Sequence, residues 1–228
     1  LYNHRRPVHK IAGKLFNHKV ISVQCVEERQ DVYCLNVPLY HNFALSAGVF
    51  VHNCRMRLSI YDVSPILIGQ KRGQFERSLL DQTQFGLGAE WKGGKRAQHE
   101  VLDDAAWNTT RLLTSLHAAA YSQLGTSGTG NHFVEWGTFK LFEDDPKLNL
   151  KAGEYLSLLS HSGSRSIGFK IANYYSKLAQ ELHPALDKSV RNLAWLSLDS
   201  EEGAEYWLSM ELAGRFASAN HFVIHHRV

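Results

Sequence analysis

Few cysteines, no long apolar run and little net charge limit the classes of protein to which this 228-residue chain can belong. Its three cysteines, Cys25, Cys34 and Cys54, are too few and too scattered for a disulfide framework, which favours a reducing compartment such as the cytoplasm. No run approaches the roughly 20 apolar residues that span a bilayer, so we expect no membrane role. A formal charge of +3 permits nucleic acid as a partner but does not by itself predict one.

The composition changes between Asn53 and Cys54. Residues 1–53 contain short β-rich runs such as "KVISVQCV" without a helical period, which predicts a small all-β piece. Residues 54–228 alternate helical patterns with strands such as "EYLSLLS", which predicts a mixed α/β domain. We therefore predict the α+β class. The start has neither an initiator Met nor a signal-peptide core, so we expect a fragment or a processed product.

Two long helices are predicted after residue 54. The stretch "DDAAWNTTRLLTSLHAAAYSQLG" has Asp103 and Asp104 as candidate N-caps and ends at a glycine. The last stretch begins at Ser200, continues with two glutamates and reaches the end of the chain without a stop signal. An unterminated helix indicates that the sequence is truncated.

The stretch "GVFVHNC" ends in three reactive side chains. The amide of Asn53 can attack its own backbone carbonyl and break the chain after itself, provided that a donor polarises the carbonyl and a base acts on the amide. His52 is adjacent for the first role and His41 can fold back for the second. Cys54 would then accept an acyl group on its thiolate. Without further context, the same residues are more typical of the end of an ordinary strand with a surface His and Asn.

The longer stretch "DVYCLNVPLYHNFALSAGVFVHNC" resembles the carboxy-terminal end of an intein. The resemblance implies a Hint-type fold over residues 1–53, with Asn53 as the cyclising residue and Cys54 as the first residue of the host protein. It also implies that His52 and His41 assist the reaction. Cys34 stands where many inteins carry Asp and some carry Cys. The first intein block is absent, so these residues alone cannot complete splicing.

Two stretches of the second segment carry candidate ligands. In "LGTSGTGNHFVEWG", glycines that allow close approach to an anion precede His132, although a Gly-rich loop alone is a weak signal. In "LLSHSGSRSIG", His161 ends a buried-looking strand and Arg165 can bind a phosphate with two hydrogen bonds. Cys54 with the two histidines would suit Zn²⁺, or Mn²⁺ if carboxylates complete the site. Their spacing excludes a zinc finger, and His161 alone is more typical of a structural histidine.

From Cys54 onward the chain resembles an RtcB-type RNA-splicing ligase, which joins an RNA 3′-phosphate or 2′,3′-cyclic phosphate to a 5′-hydroxyl with GTP and Mn²⁺. The matching stretches follow family order: "CRMRLSIYD", "FGLGAEW", "HEVLDDAAW", "GTSGTGNHFVEWG", "HSGSRSIG" and "AGRFASANH". The resemblance implies tRNA halves or broken RNA ends as substrates and an accessory activating protein as a possible partner. A dinuclear metal site suits in-line phosphoryl transfer.

The resemblance assigns roles to individual residues. Cys54 would bridge two Mn²⁺ ions, and His132 and His161 would bind one of them. Arg165 would hold the RNA phosphate. The guanylate site would be formed by Asn131, His132, Phe133, Val134 and Glu135.

Other parts of the family's site have no match in this sequence. The metal-binding Asp three residues before the cysteine, a third metal histidine and the histidine that carries GMP are all absent. His221, His225 and His226 do not fit those motifs, and we interpret them as helix surface. We therefore expect the chain alone to be inactive as a ligase, and splicing to control maturation of the enzyme. A non-catalytic RNA- or nucleotide-binding remnant and another metal-dependent phosphotransferase or hydrolase are the alternatives.

Overall fold

The computed structural model describes residues 42–44, 50–52 and 55–228. Strands β1 (Asn42–Ala44) and β2 (Phe50–His52) form an antiparallel pair in which Asn42 lies opposite His52. This pair is the described portion of the predicted all-β piece, and the rest of residues 1–53 lies outside the described residues.

A three-stranded antiparallel sheet forms the centre of the described chain. Strands β3 (Arg55–Tyr61), β4 (Phe133–Leu141) and β5 (Gly153–Ser162) pair in the order β3-β5-β4. The predicted strand "EYLSLLS" is confirmed as part of β5, which lies between the other two strands and buries Leu156 and Leu158. Together with the helices, this small sheet confirms the α+β class.

Five α-helices accompany the sheet in the described part of the chain, and short 3₁₀ turns connect some of them. Ser200 caps the last helix by accepting a hydrogen bond from the Gly203 N–H, as predicted. None of the described helices combines the length and apolar character needed to cross a bilayer. The helices are α1 (Ile66–Gln70), α2 (Arg72–Gln82), α3 (Arg111–Gln123), α4 (Arg165–Leu182) and α5 (Glu201–Arg227).

The predicted N-cap of α3 is wrong. The hydroxyl of Thr110 accepts from the Leu113 N–H and begins the helix. Asp104 instead accepts from the Ala106 N–H and caps a separate 3₁₀ turn. In place of a continuous helix from Asp103, one 3₁₀ turn ends at Asp103 and a second spans Ala105–Asn108, because this segment folds back to bury Trp107, whose indole N–H donates to the Val101 carbonyl.

The main hydrophobic core lies between helices α3, α4 and α5. It includes the fully buried side chains of Trp107, Leu113, Ile167, Leu212 and Phe216. A smaller cluster of Val134, Leu158 and Ile224 joins α5 to the sheet. Helix α5 therefore buries side chains against both the helices and the sheet.

The interpretation of the last helical turns as helix surface is wrong for two of the three histidines. His221 is 2% exposed and His225 is 8% exposed, whereas His226 is exposed. The reason is that this half of α5 packs on the sheet, where polar groups of β3 and β5 provide partners for both imidazoles.

Candidate functional site

Two predicted metal ligands lie at the same end of the central sheet. His161 is the penultimate residue of β5 and pairs with Phe133 of β4 on one side and Met56 of β3 on the other. His132 immediately precedes β4, so strand pairing brings its imidazole next to that of His161. The ring centroids are 5.8 Å apart and the rings are nearly perpendicular.

The imidazole of His132 occupies a pocket that only glycine leaves open. A Cβ at Gly128 would overlap Nδ1 of His132 and lie 2.5 Å from the Arg165 guanidinium. Nδ1 of His132 is buried and has no hydrogen-bond partner within the described part of the chain. Burial, then the charge of Arg165 and the proximity of His161, lowers the pKa of His132 below its ordinary value. The ring is therefore neutral at pH 7, as a metal ligand must be.

Arg165 is held rigidly at the start of α4. Its φ of 55° lies in the left-handed region, an unfavourable conformation for a side chain of this size. Nε donates to the Thr126 hydroxyl at 2.9 Å, and Nη2 donates to the Gly86 carbonyl at 3.3 Å. Burial lowers the pKa of Arg165, but an arginine remains a cation at neutral pH. A fixed guanidinium beside two imidazoles suits an anionic ligand.

Asn220 of α5 holds the loop before His132 in place through hydrogen bonds. The fully buried amide oxygen of Asn220 accepts from the backbone N–H groups of Gly125 and Thr126 at 2.7 and 3.2 Å. Its nitrogen donates to the Thr126 carbonyl at 2.9 Å and to the Ser162 hydroxyl at 3.2 Å. One side chain thus joins the Gly-rich loop to the end of β5, the two segments that carry His132 and His161.

A buried chain of hydrogen bonds supports β5 from the side facing α5. The Ser162 carbonyl can only accept, so Nε2 of His221 donates to it and Nδ1 accepts from the Ser160 hydroxyl. Ser160 then accepts from Nε2 of His225, whose Nδ1 accepts from Ser59. The His225 imidazole is neutral in this arrangement, because its pKa is lowered to about 4. The residues on either side of His161 are therefore held by helix α5.

The predicted guanylate-site residues are divided between the two faces of the sheet. Asn131 and Glu135 are exposed, and the Phe133 ring contacts the His161 ring at a centroid distance of 5.6 Å. Val134 points to the opposite face, where it packs against Leu158 and Ile224. The side chain of Val134 is therefore a core residue, and only its backbone is available to a nucleotide on the His161 face.

Several predicted residues are outside the described part of the chain. They are Cys34, His41, Asn53 and Cys54, while His52 is described only by its backbone pairing with Asn42. Among the described residues, no group of three or more His, Cys, Asp or Glu side chains is close enough to hold a metal ion. The described part of the predicted metal site therefore consists of His132 and His161. Arg55, which follows Cys54 in the sequence, pairs with Ser162, beside His161.

A comparison with known protein families shows to which family the chain belongs. The family model described as tRNA-splicing ligase RtcB matches residues 45–228. The chain belongs to the RtcB family. The RtcB match includes every described residue of the candidate site, from Arg55 to His225.

Individual RtcB relatives match to different extents. The tRNA-splicing ligase RtcB of Pyrococcus furiosus is 26% identical over an alignment of 251 positions, which covers 95% of this chain and 26% of that protein. The protein of the same name from Methanocaldococcus jannaschii is 26% identical over 82% of this chain and 22% of its own length. The RNA-splicing ligase RtcB of Escherichia coli K12 is 34% identical over 50% of this chain and 26% of its own length. The chain spans about a quarter of the length of these relatives.

The supporting residues of this RtcB chain were not predicted as functional. Asn220 lies within the family-like stretch "AGRFASANH", and the sequence alone assigns no role to Asn220, Ser160 or Thr126. A buried amide in an apolar helix is the one local signal that could have indicated Asn220, because such a group requires partners. Nothing in the sequence around Ser160 or Thr126 gives a comparable indication.

Proposed function

We propose that this chain is part of an RNA ligase that joins RNA 3′-phosphate or 2′,3′-cyclic phosphate ends to 5′-hydroxyl ends with GTP and Mn²⁺. Family membership supports the RNA ligase class. The observation that carries the finer proposal is the juxtaposition of the His132 and His161 imidazoles with the Arg165 guanidinium. Two imidazole nitrogens beside a fixed cation suit a reaction of metal-bound phosphate groups.

The described residues provide some of the ligands that a metal ion would need. His132 offers a buried Nδ1 without a protein partner in the described part of the chain, and His161 lies beside it. We assign both as ligands together with Cys54, and the remaining ligands come from outside this chain. Bound Mn²⁺ would stabilise negative charge on the attacking and leaving oxygens. Gly128 keeps the space around the His132 ring open, and Asn220 fixes the loop on which that ring is carried.

The anionic groups of the substrates are assigned to two neighbouring positions. Arg165 binds the terminal phosphate of RNA, because two donors of its guanidinium are already anchored and orient the group. The segment from Asn131 to Glu135 lines the guanylate site, with Asn131 nearest the GTP phosphate. Phe133 lies on the His161 face and offers an apolar surface to the nucleotide.

Guanylylation tests this function directly. The protein expressed from the complete reading frame around this chain is incubated with GTP labelled on the α-phosphate, with and without Mn²⁺. We expect covalent label that requires Mn²⁺ and that is lost in His132→Asn and His161→Asn variants, while the exposed His226→Asn variant keeps it. Hydrolysis of GTP without covalent label would contradict the ligase assignment and favour a hydrolase. Absence of any reaction despite RNA binding would favour a non-catalytic remnant.

We further propose that the ligase matures by protein splicing at Asn53 and Cys54. The Pyrococcus furiosus alignment supports this, since 95% coverage requires it to extend far into residues 1–53. That relative is also about twice as long as the Escherichia coli one, because alignments of 251 and 116 positions each cover 26% of the respective proteins. Extra length in the relatives that match residues 1–53 is what an insertion before Cys54 predicts.

Intact mass after expression of the complete reading frame tests splicing. We expect a product from which residues 1–53 are removed and in which Cys54 is joined to the preceding host segment. The Asn53→Ala variant keeps the insertion because it has no side-chain amide to attack the backbone. His226→Asn serves as a control that splices normally. A wild-type mass that retains residues 1–53 would contradict maturation by splicing. The guanylylation test could still be interpreted by itself.

A further inference from the structure

A second concave surface shares a wall with the Gly-rich loop of the candidate site. It encloses about 460 Å³ between the end of α2, the turn over residues 92–96 and the last turn of α5. Gln84 lines this cleft, and its carbonyl accepts a hydrogen bond from the Ser127 N–H at 2.8 Å. The volume lies within the roughly 300–1,000 Å³ typical of ligand sites. The cleft therefore adjoins the loop that leads to His132.

One side of the cleft is formed by part of a basic turn. The turn "KGGKR" at residues 92–96 carries three exposed cationic side chains, of which Lys95 lines the cleft and the other two lie beside it in the sequence. A Cβ added at Gly93 or Gly94 would meet nothing within 4 Å, so the backbone is open to a bulky ligand. The Gly93 φ of 56° is a conformation that favours glycine. This open backbone between cations is suited to an extended polyanion rather than to a small ion.

A fourth cation is locked against this turn. Nη2 of Arg227 donates to the Lys95 carbonyl at 2.7 Å, and the guanidinium lies 4.7 Å from the centroid of the Trp91 ring. Trp91 is itself fixed by donation of its indole N–H to the Gly125 carbonyl at 3.0 Å. The position of the Arg227 charge is thus linked through Trp91 to the loop that carries His132.

The other side of the cleft offers neutral and acidic polar groups. Gln82 and Gln84 present amides that can both donate and accept, and Asp81 presents a carboxylate. Amides can read the edges of unpaired bases, and a carboxylate can accept from a ribose 2′-hydroxyl. A free phosphate would be repelled by Asp81, whereas a nucleotide can place its phosphate on Lys95 and its sugar near Asp81.

We propose that this cleft binds the backbone of a single-stranded RNA end and leads it to the His132 and His161 site. The inference rests on the proposed ligase function and assigns it a substrate-binding surface outside that site. Lys95 and Arg227 bind phosphates in the cleft, and Lys92 binds a phosphate beside it on the same turn. Asp81 selects RNA over DNA through the 2′-hydroxyl. This surface determines how tightly and in which register the RNA binds, while the ligation reaction takes place at the His132 and His161 site.

Equilibrium binding of a short fluorescein-labelled single-stranded RNA tests the proposal. The protein from the complete reading frame is titrated without GTP or Mn²⁺ at several KCl concentrations. For each phosphate that it no longer neutralises, the Lys92→Gln/Lys95→Gln variant should bind about fivefold more weakly at roughly 0.1 M salt, with a salt slope shallower by about 0.7. Lys170→Gln/Lys177→Gln is the matched control, since both lysines are exposed on α4. It should bind as the wild type does.

Equal RNA affinity of the two double variants would overturn the proposal, as would failure of the wild type to bind RNA. Because binding is measured without the cofactors, failure of guanylylation would reject the ligase function and leave this readout intact. The Asp81→Asn variant tests the sugar contact separately, by competition with DNA of the same sequence. Wild type should prefer RNA, and Asp81→Asn should reduce that preference. An unchanged preference would show that Asp81 does not contact the ribose.

Discussion

The side-chain oxygen of Asn220 accepts a hydrogen bond from the Gly125 N–H at 2.7 Å, although the two residues lie 95 positions apart. With the bonds to Thr126 and Ser162, Asn220 uses both its amide oxygen and its amide nitrogen in a fully buried position. The Gly-rich loop and the end of β5 are otherwise held by separate contacts. The geometry of the candidate site therefore depends on a residue that contacts neither imidazole in the described hydrogen-bond network.

Replacement of Asn220 by alanine should lower the free energy of unfolding by about 2–4 kcal/mol. The change leaves buried N–H and C=O groups of the loop without partners, and such groups are costly. Asn173→Ala is the control, because Asn173 is exposed on α4. Urea denaturation of the three proteins provides the measurement. A similar small effect of both substitutions would show that the loop is held by other contacts.

Gly128→Ala should abolish guanylylation with little loss of folded protein. The added Cβ overlaps Nδ1 of His132 and lies 2.5 Å from the Arg165 guanidinium, so the imidazole has to move. Gly69→Ala is a suitable control, because a Cβ at that helical position meets nothing within 4 Å. Covalent labelling with GTP and thermal denaturation are measured in parallel. Retention of wild-type labelling by Gly128→Ala would indicate that the His132 ring does not need its present position.

Local patterns predicted the elements whose signals are contained in a few consecutive residues. The Ser200 cap and the apolar run of β5 were identified in this way, and motifs indicated His132 and His161. The cap at Asp104 was misplaced because burial of Trp107 interrupts the helical pattern. Tertiary packing determined the conformation of that segment, and local sequence propensity does not predict such packing.

The burial of His221 and His225 could not be predicted from their own segment. Histidines near a helix end are typical of an exposed face, and their partners Ser160 and Ser59 lie 61 to 166 positions away. The same reason applies to Arg165, whose partners come from segments far away in sequence. The residue types of the site were therefore predictable, whereas the groups that hold them required the fold.

Arg165→Lys should reduce the rate of RNA ligation at least about tenfold while preserving the charge. Lysine cannot donate to both Thr126 and Gly86 from one planar group, and it cannot bind phosphate with parallel hydrogen bonds. Arg191→Lys is the control, since Arg191 is exposed. Ligation rates are measured with saturating RNA and GTP. An unchanged rate in Arg165→Lys would mean that charge alone suffices at this position.

The protein should lose stability as the pH falls from about 6.5 to 4, and His225 should contribute to that loss. Burial, reinforced by the charge of Arg57 and the proximity of His221, lowers the pKa of His225 to about 4. The unfolded chain binds a proton near pH 6.5 but the folded chain does not, so acid favours unfolding. The stabilisation is complete above pH 6.5, and its loss is on the order of 3 kcal/mol by pH 4. His132, with its lowered pKa, acts in the same direction.

Urea denaturation of two variants separates His225 from the other histidines. In His225→Gln the fall in unfolding free energy between pH 7 and pH 5 should be smaller than in the wild type, because one titrating group is removed. His226→Gln should follow the wild type, since that neighbouring imidazole is exposed. Identical pH dependence in both variants would show that His225 titrates normally in the folded protein, and the neutral hydrogen-bond chain through Ser160 and Ser59 would then have to be abandoned.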